Sequence, residues 1–361
     1  MRTRFCEDYA ALLFYVDDFF GGAERRLIRI YNEIGKNRKC DLIVRGINRK
    51  KLDELLDKAD CDVKNYQNVL CFPSNLDCIM YLFLKGKYTS VHFFDMSRFD
   101  KLLLYVTKIK RIKSIMTIAF QNYAYGLINN KEKKELETFL ALASNVDVLF
   151  PAGEIFLPTI SKKQNISVTP GTFTNLALFR PAKKERILLF AAARFDKDKN
   201  ALLLVEACNL CAKVIRDYKY KVIMCGKGNE EENLRNRVKE YELEDIIEMP
   251  GYVKISELFP YVEMFLCLDK VDNYPSQTIA ESVACGCALV CTDVGYSRRC
   301  GDENFTYFIK DDCNELAQVI IKYIELNDTE KNKMSGYARK FALQHYAIDS
   351  SVKYFERMIE V

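Results

Sequence analysis

Short apolar runs alternate with longer amphipathic segments along the whole chain. In the first half the runs are ALLFYV (11–16), CDLIVR (40–45), NVLCF (68–72), SVHFFD (90–95), SIMTIAF (114–120) and VDVLFP (146–151). RILLFAA (186–192), KVIMCG (221–226), IIEMPG (246–251), MFLCLD (264–269) and ALVCT (288–292) repeat the pattern in the second. Runs this short and this continuously apolar read as strands buried on both faces. Segments of helical period lie between most of them, and from Asp328 on the pattern is helical. Strands alternating with helices predict an α/β fold with two Rossmann-like doubly wound domains. Such sheets bind ligands beyond the C-terminal ends of their strands, which two facing domains bring to one cleft.

The polar segment FRPAKKER (179–186) separates the two sets of strands. The expected domains are therefore 1–179 and 180–340, with a C-terminal helix in 341–361 packing back on the first. A chain of 361 residues, 49% of them hydrophobic, is long enough for two cores.

Composition narrows the setting. No run of about 18 uncharged apolar residues is present, and MRTRFCEDYAALLFYVDDFF carries acids where a signal peptide needs its apolar run, so a cytoplasmic location is expected. The 14 cysteines are scattered through apolar strands of a long chain, which points to buried free thiols. Cys208 and Cys211 stand at helical spacing with no second pair to complete a zinc site, so core packing is the reading for both.

A net charge of +4 without a basic stripe gives no reason to expect a nucleic-acid partner. The charge is uneven, however: residues 1–180 hold 28 Lys and Arg against 20 Asp and Glu, and the remainder 26 against 30. Part of the excess lies in KLLLYVTKIKRIK (101–113), where basic and apolar residues interleave at helical spacing. It reads as a solvated helix face running into the next strand or, alternatively, as a face for a phosphorylated lipid substrate or for peripheral contact with an anionic membrane at its inner side.

Four stretches sit where phosphate chemistry is expected. Gly21 and Gly22 open the helix after the first strand, where backbone approaches a phosphate closely. Arg194 and Lys199 follow the first strand of the second half, a fork and a point charge suited to a diphosphate. Gly226-Lys227-Gly228-Asn229 ends the next strand. In NYPSQTIAESVACGCALV (273–290) a helix begins on Ser276-Gln277-Thr278 and carries one carboxylate, Glu281, a turn further on. A helix N-terminus holds an anion, and a carboxylate behind it accepts from hydroxyls.

These motifs, with PGYV (250–253), in this order and spacing resemble the retaining GT-B glycosyltransferases of family GT4, more closely over 186–300 than before it. The resemblance implies a UDP- or GDP-sugar donor bound mainly by the C-terminal domain and a glycan or lipid-linked acceptor bound mainly by the N-terminal one. It implies diphosphate contacts from Arg194 and Lys199, ribose contacts from Glu281, and a further donor set of Gly21, Gly22, Gly226, Lys227, Tyr252, Val253, Tyr274, Pro275, Ser276, Gln277 and Thr278. It also implies retention at the anomeric carbon and surface polysaccharide or glycolipid synthesis. With two cations and a helix start around the leaving phosphate, neither metal nor other cofactor is expected.

The chain departs from that family at two places. Asn273 stands where an acid commonly contacts the transferred sugar, with Asp272 beside it. No histidine occurs in SIMTIAFQNYAYG, which leaves Gln121, Asn122 and the more distant His92 as acceptor-side candidates. These departures keep open a catalytically degenerate protein that binds nucleotide or glycan, while another two-Rossmann enzyme, such as a sugar-nucleotide epimerase or an NAD-linked oxidoreductase, ranks last because no GxGxxG follows the first strand.

Overall fold

A computed structural model describes residues 9–16, 22–58, 61–94, 96–119, 121–161, 166–192, 194–272 and 274–360. The chain forms two units, Met1–Pro170 with Asp349–Val361, and Gly171–Ile348. The expected divisions at 179/180 and 340/341 are displaced, and the reason is packing. Phe179 is buried in the second unit's core, where Arg339 donates to the carbonyls of Leu176 and Phe179. The polar stretch read as a linker is anchored too, since Lys184 Nζ donates to the carbonyls of Val262 and Cys285 at 2.6 and 2.7 Å.

The first unit has seven parallel strands, β1 (Tyr9–Tyr15), β2 (Lys39–Arg45), β3 (Asn68–Phe72), β4 (Ser90–Phe93), β5 (Lys113–Ile118), β6 (Asn145–Val148) and β7 (Ile166–Val168), in the order β3-β2-β1-β4-β5-β6-β7. β1 is central in the sheet, Leu12 lying between Leu42 and His92, and Ala10 to Phe14 are all buried, as a parallel sheet covered by helices requires. Helices Asn75–Leu84, Arg98–Ile109 and Asn130–Leu142 share one core with the sheet, built from residues such as Leu13, Phe93, Leu82, Leu104 and Leu140. Capping boxes start two of these helices, Ser97 with Asp100 and Asn129 with Glu132.

The helix Asp349–Ile359 belongs to this unit. Its Phe355 ring lies 5.1 Å from that of His92, and the Tyr354 hydroxyl donates to Asp147 at 2.8 Å.

The second unit has six parallel strands, β8 (Glu185–Ala191), β9 (Lys221–Cys225), β10 (Ile247–Gly251), β11 (Val262–Cys267), β12 (Ala288–Thr292) and β13 (Thr306–Ile309), in the order β10-β9-β8-β11-β12-β13. One face packs on the helices Ala201–Asp217 and Cys313–Ile324, the other on Gln277–Ala284 and Asp328–His345. Cys208 and Cys211 lie in the first of these cores, and burial pushes the Cys211 thiol up to about 12, so both are inert packing groups. Among the described residues, no helix is long and apolar enough to cross a membrane.

Candidate functional site

In the second sheet the strand order reverses between β8 and β11, the place where doubly wound sheets open a ligand crevice. The loop leaving β8 is pinned by Phe195, which is buried against Phe190 and whose amide donates to the Lys227 carbonyl at 2.8 Å. Asp196 then caps a short turn, Lys197–Lys199, and Asn200 in left-handed geometry starts the next helix. Pinned in this way, Lys199 points across the switch: its Nζ lies 2.7 Å from Asp269 Oδ1, just beyond β11.

Asp269 is buried, and its carboxylate also accepts from Cys267 Sγ while its carbonyl accepts from Thr292 Oγ1 at 2.6 Å. Arg194 differs sharply from its neighbour. Its side chain is 81% exposed, with Nε 4.0 Å from Asp196. The sequence presented the two cations as equivalent. The fold gives one an internal carboxylate and leaves the other at the surface.

Asp269 was missed as a candidate. Its signal was an acid closing the apolar run MFLCLD, where a buried strand has no use for a charge unless something pairs with it.

The turn after β9 serves the neighbouring loop. Gly226 has φ +144°, and a Cβ there would meet the Ala192 carbonyl at 2.2 Å; at Gly228 it would meet the Phe195 backbone at 2.5 Å. Both glycines are required by loop-to-loop approach. Lys227 is exposed beside them, its stem over Gly251, and of the next pair Tyr252 is exposed while Val253 packs partly on the core.

The helix Gln277–Ala284 begins where expected. Ser276 is its N-cap, accepting from the Ile279 amide and meeting Thr278 Oγ1 at 3.2 Å, which puts the positive end of the helix at residues 276–278. Gln277 bridges inward, donating to the Phe173 carbonyl and to Glu281 Oε1, both at 3.1 Å. Before the helix, the Tyr274 amide donates to Asp272 Oδ1 at 3.0 Å, and the buried Asp272 side chain lies against Gly295. Pro275 follows a cis bond. Asn273 lies outside the described residues.

In the first unit Gly22 begins the helix Gly22–Ile34, and Gly21 lies outside the described residues. Asn122 is exposed on the short helix Gln121–Tyr125; of Gln121 only the backbone is described. His92, a candidate for the acceptor side but by type more often a packing residue, is fully buried at mid-sheet. Its Nδ1 lies 3.1 Å from the Tyr31 hydroxyl and its Nε2 2.7 Å from Thr117 Oγ1, which in turn donates to Asp147. Burial drives its pKa down to about 3, so it is a neutral packing group.

Residues 177–341 match the model of the family described as glycosyl transferases group 1. The chain is 28% identical over 223 residues to the N-acetylgalactosamine-N,N'-diacetylbacillosaminyl-diphospho-undecaprenol 4-alpha-N-acetylgalactosaminyltransferase of Campylobacter jejuni, an overlap of 54% of this chain and 58% of that protein. It is 25% identical over 111 residues to the GtfA subunit of a peptide N-acetylglucosaminyltransferase of Streptococcus pneumoniae, covering 31% of this chain and 22% of that one. The chain thus spans about half, or less, of the curated relatives it matches. Among solved structures it resembles Anabaena HepE in complex with UDP and glucose, with a TM-score of 0.73 at 15% identity over 97% of this chain and 99% of that one. It resembles a glycosyltransferase of Rickettsia africae equally well, with a TM-score of 0.75 at 16% identity over 98% of both chains. The two parallel-sheet units therefore have the fold of GT-B glycosyltransferases, and the group 1 match falls on the second of them.

Proposed function

We propose that the protein is a retaining glycosyltransferase of the GT4 type, which moves a sugar from a UDP- or GDP-sugar to a glycan or lipid-linked acceptor in surface polysaccharide or glycolipid synthesis. One observation carries the reading: in the segment that matches the family, Lys199 is held at the switch point of the second sheet, with the exposed Arg194 on the same loop. The two cations receive the diphosphate, the helix beginning at Gln277 adds its positive end, and Glu281 accepts from the ribose. As the bond to the sugar breaks, negative charge grows on the leaving phosphate, and these fixed positive groups stabilise it without a metal. Asn273 contacts the transferred sugar in this reading, on its eight-residue spacing to Glu281, while the neighbouring Asp272 accepts from the Tyr274 amide.

The lipid-linked acceptor is supported by the printed name of the Campylobacter relative, an enzyme acting on an undecaprenol diphosphate glycolipid. The UDP donor is supported by the nucleotide in the HepE complex. A second reading, a binder without turnover, is favoured by the loss of an acid at Asn273.

The test is a thermal-shift screen of UDP- and GDP-sugars, followed by NMR of the product formed by the donor that stabilises most, in the presence of EDTA. The proposal expects one donor to raise the melting temperature and an α-linked product from an α-linked donor. Stabilisation with no product would favour the binder, and no stabilisation by any nucleotide sugar would remove both readings.

A further inference from the structure

The turn that carries Lys199 is fixed by more than the ion pair to Asp269. The chain leaves β8, makes the short turn Lys197–Lys199 and enters the helix Ala201–Asp217 through one residue, Asn200. That residue has φ +56° and ψ +35°, the left-handed conformation that glycine and asparagine adopt more readily than other residues. Its conformation sets the angle between turn and helix, and with it the direction in which the Lys199 stem leaves the backbone.

Glycine would meet that backbone demand more easily, so the side chain of Asn200 needs a separate reason. An asparagine at the start of a helix ordinarily accepts from the helix's own first amides. This one makes no such bond. It is 7% exposed, and its Nδ2 donates to Asp311 Oδ1 at 2.6 Å, a carboxylate 111 residues further on, in the loop between β13 and the helix Cys313–Ile324. Asp311 is not needed by its own loop either, because the next residue, Asp312, caps that helix by accepting from the amides of Asn314 and Glu315. A buried carboxamide costs stability unless it is bonded, and a carboxylate is the stronger kind of partner. Lys270, in the loop after β11, completes the tie: its amide donates to the Asp198 carbonyl at 2.8 Å, and its Nζ lies 4.0 Å from Asp311 Oδ2. Asp198, Lys199 and Asn200 are thus held from loops beyond other strands, by Lys270, Asp269 and Asp311 in turn.

We infer that Asn200 and Asp311 are positioning residues for the donor diphosphate, which act by fixing Lys199 and make no contact with the nucleotide themselves. The inference rests on the diphosphate role proposed for Lys199. It adds to that role a residue, Asp311, that lies outside every stretch of the sequence read as phosphate chemistry. A link that only held the fold together would lower the melting temperature and leave the nucleotide affinity of the folded protein where it was.

The experiment is calorimetric titration of the full chain with UDP and with GDP, below the melting transition of every variant. Lys199→Met should weaken the nucleotide that binds by about tenfold or more. Asn200→Gly, which keeps the left-handed turn and removes the carboxamide, and Asp311→Ala should each weaken it about fivefold, and the two together by no more than either alone. Added to Lys199→Met, Asn200→Gly should cost nothing further, because a residue that acts through the ammonium has nothing to act on once that group is gone. Unchanged affinity in either single variant, or an undiminished loss in the Lys199→Met background, would overturn the inference and leave the role of Lys199 standing. Unchanged affinity in Lys199→Met, or no binding of either nucleotide by the parent chain, would remove both. Should Asn200→Gly fail to fold, Asp311→Ala, at a side chain 48% exposed, carries the same comparison with and without Lys199→Met.

Discussion

Replacing Lys199 by Met removes the ammonium and keeps most of the stem. Asp269, with a side chain only 7% exposed, then loses its partner at 2.7 Å. At that separation the pair attracts by about 6 kcal/mol for an effective dielectric constant of about 20, before the cost of desolvation. Loss of one member of a fully buried pair costs about 3–5 kcal/mol, and loss at an exposed pair costs up to about 1. Lys199 is 30% exposed, between these limits, so about 2 kcal/mol is expected. For a unit of this size that is a fall of about 4–8 °C in melting temperature, read by calorimetry. The double variant Lys199→Met with Asp269→Asn should regain most of the fall, because the buried charge of Asp269 is then removed as well. Turnover should drop by about a hundredfold in both, since the diphosphate contact is absent from each. A single variant that melts with the parent protein would show that the pair contributes nothing. A double variant that regains activity along with stability would refute the diphosphate role while leaving the structural one.

Arg194→Ala should lower turnover by about a hundredfold with an unchanged melting temperature, because its side chain is almost fully solvated; normal kcat/KM would remove it from the donor site. Glu281→Gln should weaken calorimetric binding of free UDP or GDP by about tenfold, as loss of a charged acceptor for ribose hydroxyls does, and an unchanged Kd would end that role. Asn273→Glu should keep or raise kcat and Asp272→Asn should change it little, whereas a large loss in the latter would mean that Asp272 meets the sugar.

Stability against pH gives a further outcome. Burial lowers His92 from 6.5 to about 3, so between these values the unfolded chain holds the extra proton and stability falls as pH falls. Burial raises Asp147 from 3.8 to about 6 despite hydroxyl donors Thr117 and Tyr354, so there the folded chain holds the extra proton and stability falls as pH rises. The two oppose each other between about pH 4 and 6. Asp147→Asn should expose the His92 slope, a gain of up to about 1.4 kcal/mol per pH unit in urea unfolding, and a flat profile in that variant would refute the assignment.

The sequence alone determined the fold class and most of the strands, because strands buried on both faces need unbroken apolar runs that few other elements tolerate. It did not reveal β7 and β13, at the edges of their sheets: ISV and TYFI are too short and too open to carry a pattern. The helix start at Ser276 was legible too, since capping is a local rule. What only the tertiary structure decided was the company each side chain keeps. Residues 70 apart in the chain become the pair Lys199 and Asp269, and Gly226 and Gly228 turn out to admit a neighbouring loop's backbone. His92, on a strand with neighbours on both sides, is carried into the core. The boundary at 170/171 was hidden for the same reason: polar residues look like a linker in sequence, and only the carbonyls waiting for Lys184 and Arg339 make them part of a core. Periodicity is written in the order of residues, whereas pairing across strands depends on register and crossover, which that order fixes only through the folded whole.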